Sequence, residues 1–116
     1  MDMSVAPLGD KAREVTLTGR LDTAGVDHIE TRFNAAAVSP GRPLVLDLAD
    51  VSFISSMGVR MLITAAKRLK AQQALMVLHV PAGPVREMLE VASLDSLIPM
   101  FAALDEARAS VLQHAG

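Results

Sequence analysis

The sequence predicts a single α/β domain spanning residues 1–116, a mixed and mostly parallel sheet of about four or five strands flanked by about four helices. Three observations carry that expectation. Strand-like and helix-like hydrophobic periods alternate from Glu14 onward. Residues 44–48 are apolar apart from Asp47, the pattern of a strand covered on both faces, which belongs in the centre of the sheet. The connections are short and rich in Gly, Pro, Asp and Ser, so each element must pack on its neighbours.

The elements follow in order. An edge strand is expected around residues 3–6, broken by Pro7, Gly9 and Asp10. Residues 14–21 alternate, with Val15, Leu17 and Gly19 on one face and Thr16, Thr18 and Arg20 on the other, as in a strand with one face buried. Asp22 and Thr23 supply helix-start chemistry. Val26, Ile29, Phe33 and Ala37 then recur at three- and four-residue steps, while Asp27, Glu30 and Arg32 fall elsewhere on the wheel, and Ser39-Pro40-Gly41 stops the helix. After the central strand, a second apolar patch (Val51, Phe53, Ile54) leads into Ser55 and Ser56. The helix over residues 57–71 is expected to bury Met57, Met61, Leu62, Ala65 and Leu69. It leaves Arg60, Lys67, Arg68 and Lys70 in water, most of them in the last turns, where the helix dipole favours bases. Residues 75–80 form the next buried strand, ended by Pro81 and Gly83. Residues 84–92 form a short helix with Pro in its first turn, turning Val85, Met88, Leu89 and Val91 or Ala92 inward. Residues 97–101 give a fifth strand. Residues 104–113 give a closing helix with Leu104, Ala107 and Val111 inward and Asp105, Glu106 and Arg108 outward.

Composition narrows the function. The hydrophobic fraction is 51% and the charged fraction 21%, which is globular rather than disordered. The net charge is -2, with three Phe and no Trp or Tyr, so the chain lacks both the cationic footprint and the stacking surfaces of a nucleic-acid binder. The absence of Cys removes disulfides, thiol nucleophiles and zinc–thiolate sites. No apolar run approaches the roughly 20 residues that span a bilayer, and the first residues carry no signal-peptide pattern, so a cytoplasmic protein without membrane contact is expected. His28, His79 and His114 are dispersed and none neighbours Ser56. No G-x-S-x-G elbow or G-x-x-x-x-G-K-[ST] loop occurs, so the expectation is a protein that is not an enzyme and has no metal site.

Two motifs carry a family resemblance. Gly19-Arg20-Leu21-Asp22 ends one strand ahead of a helix. Asp47-Leu48-Ala49-Asp50-Val51-Ser52-Phe53-Ile54-Ser55-Ser56-Met57-Gly58-Val59 ends the next strand and opens the next helix. On these residues the whole chain resembles the STAS domain family, and within it the single-domain anti-sigma factor antagonists. The departure falls at the loop. Members usually read Asp-Ser-Ser-Gly or Asp-Ser-Thr-Gly, whereas this chain reads Ser55-Ser56-Met57-Gly58. Ser55 stands where the family has Asp, and Met57 replaces the hydroxyl beside Gly.

The resemblance implies partner switching. The unphosphorylated antagonist binds a serine kinase of GHKL-type ATPase fold that doubles as an anti-sigma factor. Phosphorylation releases it, and a PP2C-type phosphatase resets it. Ser56 is the matching acceptor and Ser55 the second choice. Asp22, Ser55, Ser56, Met57, Gly58, Val59 and Arg60 are the implied partner-binding residues, with Gly58 leaving room for a partner's close approach. ATP and its metal belong to the kinase, so no cofactor is expected here, and the free protein is expected to be a monomer. Simpler roles stand beside these. Either serine suits an N-cap, worth about 1 kcal/mol, and capping is compatible with phosphorylation. Asp22 suits a helix start, Met57 a core contact, and Arg60 a solvated helix residue. The alternative for the whole chain is a structural or regulatory subunit that binds a partner without phosphate turnover, which the two replacements in the loop favour.

Overall fold

A computed structural model describes residues 1–38 and 41–115. Two antiparallel strands, β1 (Asp2–Leu8) and β2 (Ala12–Leu21), precede α1 (Thr23–Phe33), which runs into a π-helical segment (Asn34–Val38). There follow β3 (Leu44–Ile54), α2 (Ser56–Ala71), β4 (Met76–His79), α3 (Pro84–Val91), a 3-10 turn (Leu94–Ser96), β5 (Met100–Phe101) and α4 (Leu104–Ala115). Ser39 and Pro40, expected to stop the first helix, lie outside the described residues.

The sheet order is β1-β2-β3-β4-β5, with β1 antiparallel to β2 and every later pair parallel. β3 is central, as its apolar run requires. Parallel strands laid down in one direction by crossovers of one hand put their connecting helices on the same face. Accordingly α1, α2 and α3 share one core with β2, β3 and β4, in which Leu17, Phe33, Leu46, Leu62, Leu78 and Leu89 are fully buried. Each such side chain contributes about 2–3 kcal/mol. α4 follows the last strand and folds over the other face, where Ala107 and Val111 meet Ala12, Val45 and Val77. Its Arg108 is not simply outward. It grips Glu14 of β2 through two hydrogen bonds of 2.6 and 3.0 Å, which hold the guanidinium above its usual pKa.

Several expectations change. β3 is longer than residues 44–48. Two register shifts against β2, between Thr16 and Thr18 and between Gly19 and Arg20, each insert an extra residue on the β3 side. The buried positions of β3 therefore step by three, through Leu48, Val51 and Ile54, rather than by two, and Phe53 is left 40% exposed. Met57 is expected inside but stands 39% exposed, because it falls about 110° around the helix from the centre of the buried row of Gly58, Leu62, Ala65 and Leu69. α3 has only Val85 and Leu89 inward. Met88, Val91 and Ala92 are exposed, since an eight-residue helix presents one short row to the core. The fifth strand shrinks to Met100–Phe101, because residues 97–99 are still turning out of the preceding 3-10 turn, held there by Leu94 and Ile98, both 1% exposed.

Candidate functional site

β2 and β3 end side by side, with Leu21 paired to Ile54 and Arg20 to Phe53. Each strand then passes straight into a helix, so the N-termini of α1 and α2 emerge together at one end of the sheet. The two starts are locked to one backbone group, the Leu21 carbonyl. The Ser55 backbone N–H donates to it at 3.0 Å and the Ser55 hydroxyl at 3.2 Å.

Ser55 is the N-cap of α2. Its backbone is extended (φ -94, ψ 173), its hydroxyl oxygen accepts from the Gly58 N–H at 3.2 Å, and its carbonyl accepts from the Val59 N–H at 2.9 Å. Both hydrogen-bonding capacities of the Ser55 hydroxyl are therefore in use inside the chain. Ser56 is the first helical residue and is exposed, and among the described residues its hydroxyl has no hydrogen-bond partner. The two serines that the sequence leaves as rival caps are thus separated by function: one holds the helix and the other is free.

Asp22 caps α1 in the same manner. The Gly25 N–H donates to its carboxylate at 2.8 Å, and the Val26 N–H to its carbonyl at 2.8 Å. The Gly25 bond is the main cause of a carboxyl pKa below the usual value; desolvation opposes it next, and Arg20, 3.4 Å away, adds lesser lowering contributions. Arg20 also stacks on Phe53, with its guanidinium carbon 4.5 Å from the ring centroid. Arg20 and Phe53 are site-edge residues that the sequence analysis does not single out. The signal for them was the parallel pairing of two strand ends, which puts consecutive motif residues in contact.

Gly58 is buried, and its role is internal. A Cβ there would stand 2.7 Å from the Leu21 carbonyl oxygen and 2.9 Å from Ile54 Cγ1, so the missing side chain admits the protein's own β2 strand rather than a partner. Val59 is also covered, at 8% exposure. The exposed apolar groups around Ser56 are instead Met57, Phe53 and, across from α3, Met88 at 38%. Phe53, Ser55, Ser56, Val85 and Met88 line an open cleft of about 440 Å³ between the start of α2 and α3. Arg60, one turn beyond Ser56, is exposed.

This arrangement offers an accessible hydroxyl at a helix N-terminus, beside a mostly apolar cleft. Among the described residues no side chain hydrogen-bonds to that hydroxyl. His79 is tied to Asp47 at 2.8 Å on the α4 face of the sheet. Among the described residues no three His, Cys, Asp or Glu side chains converge on a metal position, and no helix is long and apolar enough to cross a membrane.

Comparisons with known proteins place the family and the fold. The STAS domain family matches residues 7–107. A Bordetella bronchiseptica protein named "Putative anti-sigma factor antagonist BtrV" is 31% identical over 94 residues, covering 81% of each chain. The crystal structure of an anti-sigma factor antagonist from Mycobacterium paratuberculosis superposes with a TM-score of 0.84 at 24% identity, over 96% of this chain and 93% of that one. The anti-sigma factor antagonist SpoIIAA in its unphosphorylated form gives a TM-score of 0.76 at 19% identity over 97% of both chains. The Bacillus protein of that name in its phosphorylated form gives 0.66 at 19% identity, over 95% of this chain and 99% of that one. At these identities the two solved proteins establish a common fold.

Proposed function

The chain belongs to the STAS domain family, and from that membership we propose that it is an anti-sigma factor antagonist working by partner switching in the cytoplasm. Unphosphorylated, it binds a serine-kinase anti-sigma factor of GHKL-type ATPase fold and so frees a sigma factor. Phosphorylated on Ser56, it is released. A PP2C-type phosphatase returns it to the binding form.

The observation that supports Ser56 is the division between the two serines. Phosphorylating Ser55 would cost the cap bond from Gly58 and the bond to Leu21, whereas the Ser56 hydroxyl gives up no bond within the described residues. The site also suits the product. A phosphoserine carries about -1.5 to -2 charges, and at the first position of α2 it meets unsatisfied N–H groups and the positive end of the helix dipole. The fold therefore tolerates the dianion. A partner pressed against Met57, Phe53 and Met88 does not, because a charge buried at such an interface without compensation costs about 3–5 kcal/mol, about a hundredfold or more in affinity. Release needs no change of fold.

The test is to incubate the chain with the GHKL-type serine kinase encoded nearest to it, with ATP, and to locate added phosphate by mass spectrometry. Phosphate on Ser56, absent from Ser56→Ala, with a complex that forms before phosphorylation and dissociates after it, is the expected result. Ser56→Asp should bind more weakly than the wild type. Phosphate on Ser55 moves the site. A complex that survives ATP with no phosphate added overturns the switch in favour of a permanent subunit, the role toward which Ser55 and Met57 lean by replacing the usual acid and hydroxyl.

A further inference from the structure

α2 carries Arg60, Lys67, Arg68 and Lys70 and no acidic residue, in a chain whose net charge is -2. Most of the other bases have partners, Lys11 and Arg42 excepted among the described residues. Arg20, Arg86 and Arg108 are paired with Asp22, Glu90 and Glu14. Arg13 and Arg32 donate to backbone carbonyls of Ala36 and Met3. The four cations of α2 are all exposed, and among the described residues none of them is in an ion pair. Arg68 and Lys70 stand in the last turn of α2, where the helix dipole favours them, but no ion pair among the described residues draws on any of the four.

Their placement relative to the acceptor is specific. At 3.6 residues per turn, Ser56, Lys67 and Arg60 fall within about 40° of one another and run along about 16 Å of helix. They form the crest of the face opposite the buried row of Gly58, Leu62, Ala65 and Leu69. Arg68 and Lys70 flank that crest. The one acidic side chain facing it from the neighbouring helix is Glu30, which lines a shallow groove with Arg60 and Arg68 without pairing with either.

We infer that the exposed crest of α2, from Ser56 through Arg60 to Lys67, is a docking ridge for an acidic protein surface. This rests on the partner-switching role above and assigns the chemistry of the partner's face. A protein is the occupant favoured. Four cations without an aromatic residue on the helix make a poor platform for a single strand, the net charge of -2 weighs against a duplex, and the hydroxyl at the head of the ridge is a point at which a binding surface can be switched. Acidic groups on the partner would be steered to the ridge before contact, which raises the association rate. Phosphate on Ser56 then acts twice. It brings a dianion against an acidic surface, and it offers Arg60, four residues on, a ligand within its own helix. The ridge loses cationic character where the partner most needs it.

The experiment measures association of the chain with its GHKL-type serine kinase by stopped flow across a range of salt concentrations, with far-UV circular dichroism to verify folding. Arg60→Glu is compared with Lys11→Glu, which makes the same change in net charge on the β1–β2 turn. Arg60→Glu should slow association roughly tenfold near 0.02 M salt and much less near 0.5 M, where the screening length falls to a few ångströms. Lys11→Glu should change it less than about twofold. Arg60→Glu combined with Lys67→Glu should flatten the salt dependence further. Equal effects of Arg60→Glu and Lys11→Glu, or a wild-type rate indifferent to salt, overturn the ridge. If phosphate still reaches Ser56 in that case, the switch survives its loss. If the kinase neither binds nor phosphorylates the wild type, both fail together. Binding of the wild type to duplex DNA or to phosphatidylglycerol vesicles, abolished by Arg60→Glu, would overturn the protein partner.

Discussion

Gly58→Ala puts the geometry of the switch loop to a test in which two opposing effects have known sizes. In an ordinary helix the exchange stabilises, because Gly is about 1 kcal/mol less favourable than Ala. Here the new methyl would lie 2.7 Å from the Leu21 carbonyl oxygen, 2.9 Å from Ile54 Cγ1 and 3.0 Å from Leu21 Cγ. None of these is the loose end of a flexible side chain, since Leu21 and Ile54 are buried strand residues at 0% and 3% exposure. Relief needs α2 and the end of β2 to separate by several tenths of an ångström, and overpacking of this kind costs about 1–3 kcal/mol. The same oxygen accepts both Ser55 hydrogen bonds, so moving it also strains the cap, where each bond is worth about 1 kcal/mol. The balance is a net loss of about 1–2 kcal/mol, or about 4–8 °C in Tm for a domain of this length. Urea unfolding followed by circular dichroism, with calorimetry for Tm, reads it directly. A variant as stable as the wild type, or more so, refutes the close approach of β2 to α2.

Two further predictions concern the caps of α2 and α1. Ser55→Ala should destabilise by about 1 kcal/mol through loss of the cap, whereas Ser56→Ala should stay within about 0.5 kcal/mol of the wild type; equal losses in urea titrations would contradict the division between the serines. Asp22 has a depressed pKa when folded, so its contribution is present above the unfolded value of 3.8 and is lost as pH falls through the lower folded value. Wild type should therefore lose stability relative to Asp22→Asn as pH falls from about 3.8 through the lower folded value, and parallel denaturation midpoints from neutral pH to about 2 would contradict the assigned role of the Gly25 bond.

Much of this fold was written in local pattern. The alternation through Val15 and Leu17 and the helical spacing of Val26, Ile29 and Phe33 describe elements whose buried faces are set by their own residues. The central place of Leu44, Val45 and Leu46 followed from burial on both faces. What escaped was whatever depends on a neighbour. The inserted residues in β3 are defined against β2, so a two-residue period could not anticipate that Leu48, Val51 and Ile54 would share a face or that Phe53 would be exposed. Met57 stands four residues before buried Met61, but the row that meets the sheet is centred on Gly58, Leu62, Ala65 and Leu69 and leaves Met57 at its margin. At the site, the motif located both serines, yet only their hydrogen bonds distinguish them. Gly58 had to be small in either view, and the Leu21 carbonyl is what decides why.

Under the proposed switch, the freedom of the Ser56 hydroxyl bears on the lifetime of the signal. A group added to a side chain that supports nothing leaves the domain as resistant to unfolding as before, and degradation of a compact domain tracks the fraction that opens. Modified molecules would then accumulate as an intact reserve, cleared no faster than unmodified ones. Recovery would draw on that stock by hydrolysis of the phosphoester, without waiting for new synthesis, and the memory of a stimulus would be set by phosphatase activity rather than by protein turnover.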